Sequence, residues 1–140
     1  MNEERKKITG ELQLTRELSE QLKKEIMGIK DLGDKLPSWL KEDTTSLLTL
    51  ILGAASLLQA SDIHIEVEEQ GAKIRARIDG ILQDVATLPQ ETYEALLSRI
   101  KLLSGIKLNV EDRPQDGRFT FALADTEIES RVSSLPSEHG

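Results

Sequence analysis

The sequence contains no cysteine and few aromatic residues. Aromatic side chains make up 3% of the 140 residues, and no residue is Cys. The absence of cysteine excludes disulfide bonds and cysteine-based zinc sites, and it fits a reducing compartment such as the cytoplasm. With so few aromatic rings, the core has to be built mainly from Leu, Ile, Val and Ala, which account for most of the 38% of residues that are hydrophobic.

Long hydrophobic runs and excess positive charge are also lacking. The richest apolar run, from Leu47 to Leu58, is interrupted by Thr49, Gly53 and Ser56 and is shorter than the roughly 20 apolar residues of a membrane span. The charged N-terminus leads into no apolar segment, so no signal peptide is predicted. The net charge of −7 argues against nucleic acid as a main partner, because phosphate contacts need a basic surface.

The sequence has no phosphate-binding loop of the form Gly-x-x-x-x-Gly-Lys-Ser/Thr. Because that loop cradles the phosphates in a common class of ATP-hydrolysing proteins, the chain is predicted not to be an enzyme on its own. No arrangement of serine and histidine indicates a nucleophile. His64 and His139 have no metal-ligand spacing, so no metal site is predicted.

Apolar residues three or four positions apart predict three helices. The first covers residues 3–30 and has one narrow apolar stripe, which either docks on the rest of the chain or packs on a neighbouring subunit. The second runs from about Thr45 to Gln59, with Asp43 or Thr44 as its cap. It is apolar around most of its circumference and is predicted to be the central core helix or to pack between the sheet and another subunit.

The third helix covers Tyr93–Leu103, and Gly105 is its predicted stop. Alternating apolar and polar residues predict five strands, three between Asp62 and Ala86 and two over 118–123 and 127–133. Asp79-Gly80 is a strong hairpin signal. We therefore predict an α+β fold with an antiparallel sheet of about five strands, helices mainly on one face, and an N-terminal helix before it. Residues 1–43 are predicted to be a helical linker segment and residues 44–140 the domain.

Two arginines lie at the ends of the last two predicted strands. If 118–123 and 127–133 form a hairpin, Arg118 and Arg131 return to the same edge of the domain. Guanidinium groups are permanently charged and bind phosphate in a bidentate manner. Two of them at one edge suit the terminal phosphate of a nucleotide held by another domain. The spacing alone nevertheless favours ordinary ion pairs with surface carboxylates, because most surface arginines do no chemistry.

Five sequence strings, in order and with similar gaps, resemble one protein family. Over roughly residues 44–140 the chain is similar to the second N-terminal domain of secretion ATPases, the motors of type II secretion and type IV pilus assembly. The strings are ASDIHIE at 60–66, RARIDGIL at 75–82, SRIK at 98–101, RPQDGRF at 113–119 and RVSSLP at 131–136. The family usually has proline where this chain has Val67, and 108–111 departs from the usual Leu-Asp-Ile-Ala-Glu.

The resemblance implies a PAS-like fold and a parent protein that continues into a RecA-like ATPase domain. It implies that Arg118 and Arg131 contact ATP phosphates in trans to that domain, with Arg113 and Arg77 as further nucleotide-binding residues. ATP and Mg²⁺ are expected in the intact parent and none in the isolated fragment. The implied partners are the fragment's own ATPase domain, neighbouring subunits of a hexamer and the inner-membrane platform of the machine, and the implied location is cytoplasmic and peripheral to that membrane.

The function predicted from these features is a regulatory, arginine-donating domain that closes on ATP and couples hydrolysis to domain motion. Two alternatives stay open at this point. One is a PAS-type sensor of a small ligand, which needs an internal apolar pocket with a few polar groups. The other is a pure assembly scaffold that uses the N-terminal helix and the Thr45–Gln59 helix.

Overall fold

A computed structural model describes residues 11–106, 114–123 and 126–134. Over these ranges the chain forms four helices and six strands, and this composition confirms the predicted α+β class. In chain order the elements are β1 (Glu11–Leu14), α1 (Arg16–Glu25), α2 (Ile29–Trp39), α3 (Thr44–Leu57), β2 (Asp62–Glu68), β3 (Gly71–Ile78), β4 (Ile81–Leu88), α4 (Gln90–Ser104), β5 (Gln115–Leu123) and β6 (Thr126–Ser134).

The described strands form two sheets of three, whereas the sequence predicted a single antiparallel sheet. One sheet has the order β2-β3-β4 and is antiparallel throughout. The other has the order β1-β5-β6, in which β1 runs parallel to β5 and β6 runs antiparallel to it. All five predicted strands are present, and β1 is the strand that the sequence pattern did not predict.

Over the described residues, the N-terminal helix predicted over 3–30 is wrong at 11–14, which form a strand, and is interrupted after Glu25. Within the described residues the chain first forms β1 and turns into α1 only at Thr15, whose hydroxyl accepts a 3.2 Å hydrogen bond from the backbone N–H of Leu18. Leu12 and Leu14 are both buried. Leu14 fits a two-residue strand period as well as the helical stripe, so periodicity alone assigned it to the helix.

Helix α3 lies at the centre of the core, as its apolar composition predicted. Eight of its fourteen residues are buried, and it contacts α1, α2, α4 and β1. Asp43 caps its N-terminus by accepting a 2.8 Å hydrogen bond from the backbone N–H of Ser46. A helix that is apolar all round has to be covered on several sides, and these four neighbours provide that cover.

Residues on both sides of position 43 contribute to one hydrophobic cluster. Leu22, Leu36 and Trp39 are buried in the same cluster as Leu47 and Phe121. In the described part of the chain, the segment before residue 43 is therefore packed into the core. The domain boundary at this position stays a prediction.

The two turn predictions that rest on single glycines agree with the structure. Asp79 and Gly80 both have positive φ, 53° and 80°, which is the backbone of the two-residue hairpin turn expected for Asp-Gly. Gly105 ends α4 with φ of 76°. Four other expectations fall outside the described residues: the first part of the predicted N-terminal helix, Arg113, the turn at 124–125 and His139.

Candidate functional site

The register of the β5–β6 hairpin places Arg118 directly opposite Arg131. Residues paired in this way project to the same face, with their Cβ atoms about 4.5–5.5 Å apart. Both arginines are exposed, whereas the neighbouring Phe119 and Phe121 are buried on the other face of the strand. The convergence expected from the sequence is therefore present in the backbone pairing.

Two like charges directly opposite each other on a sheet destabilise it. The arrangement becomes favourable when an anion lies between them, because a guanidinium group forms two parallel hydrogen bonds with a phosphate or carboxylate. The next cross-strand pair on the same face is Asp116 and Ser133, whose hydroxyl donates a 3.0 Å hydrogen bond to the carboxylate. The face thus carries an arginine pair with a hydrogen-bonded acid beside it.

Strand β5 is held in place from its buried side by the end of α4. A Cβ atom on Gly117 would collide with the backbone carbonyl of Ser104, so only glycine permits this approach. The hydroxyl of Ser104 donates a 2.6 Å hydrogen bond to the carbonyl of Ile100 and keeps its side chain within the helix. Because Gly117 and Arg118 are adjacent in the chain, the contact between Gly117 and Ser104 lies next to the first arginine of the pair.

Arg77, which the resemblance also assigned to the nucleotide, lies in the other sheet. Its Nε donates a 3.0 Å hydrogen bond to Asp62, and its Nη1 donates a 3.2 Å hydrogen bond to the carbonyl of Gly80. These contacts hold the ends of β2, β3 and the β3–β4 turn together. The structure therefore does not bring Arg77 together with the Arg118–Arg131 pair in one sheet, and its nucleotide contact stays a prediction.

The same face of β2, β3 and β4 carries a ladder of opposite charges. Arg75 pairs with Asp84 at 3.0 Å and with Glu66 at 3.3 Å, and Lys73 lies 3.7 Å from Glu68. The antiparallel register places the basic residues of β3 beside the acids of β2. Each basic residue of this ladder already has an acidic partner, which makes the ladder a structural feature of the sheet.

His64 stands beside Asp62, with 3.8 Å between the imidazole Nε2 and the carboxylate. In the described ranges no group of three or more His, Cys, Asp or Glu residues is arranged to hold a metal ion. Over the same part of the chain, the helices are too short or too polar to cross a bilayer.

A shallow groove lies between the start of α3 and the start of α4. It encloses about 170 Å³, and its lining includes Leu40, Leu47 and Leu96 with Glu42 and Glu91 at the edge. A small-molecule site usually encloses roughly 300–1,000 Å³. This groove is therefore too small for the ligand pocket that the sensor alternative requires.

Two features of the site region were not predicted. The Asp116–Ser133 contact depends on the hairpin register, and its only sequence signal is that each residue lies two positions from an arginine. Lys101, on α4, is only 6% exposed. Lysine is rarely buried to this extent without a partner, and nothing in the helical periodicity of Tyr93–Leu103 indicates it.

Comparison with known proteins identifies the class. Residues 41–140 match the family model described as type II/IV secretion system protein, and the chain belongs to this family. It is 37% identical over 118 residues to type II secretion system protein E of Xanthomonas campestris, a match that covers 83% of this chain and 19% of that protein.

Two other relatives are named as ATPases. The chain is 37% identical to type II secretion system ATPase E of Vibrio cholerae, over 71% of this chain and 20% of that protein. It is 33% identical to the type IV pilus assembly ATPase PilB of Thermus thermophilus, over 79% of this chain and 13% of that protein. The chain thus spans about a fifth or less of the length of these relatives.

Proposed function

We propose that this chain is the arginine-donating domain of a longer ATPase that drives type II secretion or type IV pilus assembly. Its task is to close over ATP held by another domain and to bring Arg118 and Arg131 to the phosphates. The observation that carries the proposal is the direct cross-strand pairing of these two exposed arginines in a chain whose relatives include secretion and pilus assembly ATPases.

The chemistry of phosphoryl transfer explains why such a domain is useful. Negative charge spreads over the transferred phosphoryl group in the transition state, and a precisely placed arginine stabilises it. Bound ATP supplies the phosphoryl group for transfer, and the arginine pair fits its oxygens. The described residues contain no cluster of acids that fits Mg²⁺, so we assign magnesium binding to the remainder of the longer protein.

An arginine pair on a separate domain also couples hydrolysis to movement. The arginines stabilise the closed arrangement while the terminal phosphate is present, and that contact is lost when phosphate leaves. Domain closure and opening of this kind is a common route from a local charge change to rigid-body motion. We place this cycle at the cytoplasmic face of the inner membrane, between neighbouring subunits and the membrane platform of the machine.

Replacing the arginines tests the proposal. In the longer protein, Arg118→Gln and Arg131→Gln should each lower kcat for ATP hydrolysis by about 10³-fold, the lower end of the effect of an arginine finger. The measurement is steady-state ATP turnover together with the melting temperature of each variant. Arg75→Gln is the matched control, because Arg75 is also a strand arginine and lies in the other sheet, where it pairs with Asp84 and Glu66.

The control should retain turnover close to that of the wild type. Circular dichroism should show the same fold in all three variants, since both site arginines are exposed. Wild-type turnover in Arg118→Gln and Arg131→Gln would disprove the arginine role. A loss of similar size in Arg75→Gln would also count against it, because the effect would then not be specific to the pair.

A further inference from the structure

The two strands that carry the arginine pair differ in how firmly they are held. Strand β5 lies between β1 and β6 and rests on the end of α4 at Gly117. Strand β6 is at the edge of this sheet, and β5 is its one strand neighbour among the described residues. The position of Arg131, on β6, therefore depends mainly on the pairing of β6 with β5, whereas the strand of Arg118 is supported by three elements.

The arginine pair lies near the open end of the β5–β6 hairpin. The pairing begins with Gln115 opposite Ser134, and Arg118 opposite Arg131 is the fourth pair from that end. Strand ends open more easily than strand centres, and the repulsion between two arginines that face each other adds to this tendency. A contact between the strands on the open side of the arginine pair would therefore fix the geometry of the pair.

The Asp116–Ser133 pair is such a contact. It is the second pair from the open end, and the Ser133 hydroxyl donates a 3.0 Å hydrogen bond to Oδ1 of Asp116. Each of the two residues lies two positions from an arginine on its own strand, so all four side chains project to one face. Hydrogen bonds that a carboxylate accepts are stronger than those between neutral groups, which suits this bond to holding the edge strand.

The carboxylate of Asp116 also lies beside two positive charges. Asp116 is diagonal to Arg131 across the strands and two positions from Arg118 along β5. Diagonal neighbours in a sheet are about 7–8 Å apart, a distance that long side chains span. Asp116, Ser133 and both arginines are exposed. One negative charge fixed at this place reduces the repulsion between the arginines before a phosphate reaches them.

We infer that Asp116 and Ser133 are positioning residues for the arginine pair. Their hydrogen bond keeps β6 in register with β5, so that Arg118 and Arg131 approach the terminal phosphate together. Both residues act through the arginines and not on the phosphate itself. A misplacement of about 1 Å can cost about 10²-fold in rate, so the hold on an edge strand is enough to affect turnover. This inference rests on the proposed function and adds two residues to the same site.

The main test is the ATP turnover of the longer protein after replacement of Ser133. Ser133→Ala removes the hydrogen-bond donor and should lower kcat by about 10–100-fold. The KM for ATP should change little, because the hydrogen bond serves an interaction made in the transition state. Ser133→Thr keeps the hydroxyl and should recover most of the turnover that Ser133→Ala loses. Thr87→Ala is the matched control, because Thr87 is an exposed hydroxyl residue on β4 in the other sheet.

Replacement of Asp116 tests the other partner of the bond. Asp116→Ala should lower kcat to a similar extent, and the double variant with Ser133→Ala should be no slower than either single variant, because both changes remove one bond. In an Arg131→Gln protein, Ser133→Ala should cause no further loss. In the 140-residue chain, both single variants should unfold at nearly the urea concentration of the wild type, since both side chains are exposed.

Wild-type turnover in Ser133→Ala and Asp116→Ala would overturn the inference. Higher turnover in Asp116→Ala would also overturn it, because the carboxylate would then compete with phosphate for the arginines. Losses that multiply in the Arg131→Gln protein, or that Ser133→Thr does not reverse, would indicate a general effect on the fold and count against a positioning role.

The two proposals can be told apart in the same set of variants. If Arg118→Gln and Arg131→Gln lose turnover while the Asp116 and Ser133 variants keep it, only the positioning role fails. If the arginine variants keep wild-type turnover, the proposed function fails and the positioning role fails with it.

Discussion

At the scale of single residues, the Asp43 cap makes the stability of the start of α3 depend on pH. Its carboxylate accepts hydrogen bonds from the backbone N–H and the hydroxyl of Ser46, at 2.8 and 3.1 Å. Because these bonds favour the ionised form, and the backbone bond contributes most, the pKa of Asp43 is lowered from its ordinary value of 3.8. The ionised carboxylate of Asp43 therefore stabilises the folded state above pH 3.8. This stabilisation is lost as the pH falls through the lower pKa that Asp43 has in the folded state.

Asp43→Asn should keep the helix cap and remove its negative charge. Asparagine is as good an N-cap as aspartate but does not titrate, so the variant should lose less stability than the wild type between about pH 4 and pH 2. The measurement is the urea midpoint across this range. Asp43→Ala should be less stable than the wild type at neutral pH because the cap is gone. The same acid sensitivity in Asp43→Asn and the wild type would show that this carboxylate is not the cause.

At the scale of elements, β1 is the strand that joins the N-terminal segment to the sheet. It pairs in parallel with β5 along four residues, and Leu14 lies next to Gly53 of α3. The Leu14 side chain is 2% exposed. A leucine enclosed to this degree contributes to the packing of both the sheet and the central helix.

Leu14→Ala should therefore lower the free energy of unfolding by about 2–5 kcal/mol, the range for a buried leucine replaced by alanine. Gln13→Ala is the control, because Gln13 is the exposed neighbour on the same strand and should change stability by less than about 0.5 kcal/mol. Denaturant unfolding of the three chains measures both values. Equal stability of the two variants would mean that β1 is not docked as described.

The elements that the sequence identified share a physical basis. The strands β2 to β4 follow from the alternation of Ile63, Ile65 and Val67 and from the Asp79-Gly80 turn, both of which are local signals. Helix α3 follows from a mainly apolar run from Leu47 to Leu58, which is longer than a strand of ordinary length. Strand β1 gave no such signal, because four residues are too few to establish a period and its partner β5 lies about a hundred residues away in the chain.

At the scale of the whole molecule, residues before position 43 contribute a large share of the core. Over the described residues 11–42, seven apolar side chains are buried: Leu12, Leu14, Leu22, Ile26, Leu32, Leu36 and Trp39. Each large side chain contributes about 1.5–3 kcal/mol when it is removed from water. That contribution is comparable in total to the about 5–15 kcal/mol net stability of an ordinary domain.

A chain that starts at Thr44 should therefore fail to fold cooperatively. Without the N-terminal segment, α3 would expose the sides that α1, α2 and β1 cover. The expected result is a broad thermal transition and rapid proteolysis, measured against the 140-residue chain. A sharp transition in the shortened chain would instead support the prediction that residues 1–43 form a separable linker.

The sequence by itself determined the α+β class, the Asp79-Gly80 turn, the Asp43 cap, the Gly105 helix end and the two strands that carry Arg118 and Arg131, because these depend on residues close together in the chain. Only the tertiary structure decided that β1 joins β5, that the strands divide into two sheets, that Asp62 occupies Arg77 and that Lys101 is enclosed. These features depend on which distant segments meet. A local sequence pattern indicates which residues are buried, but it does not indicate which distant segment covers them.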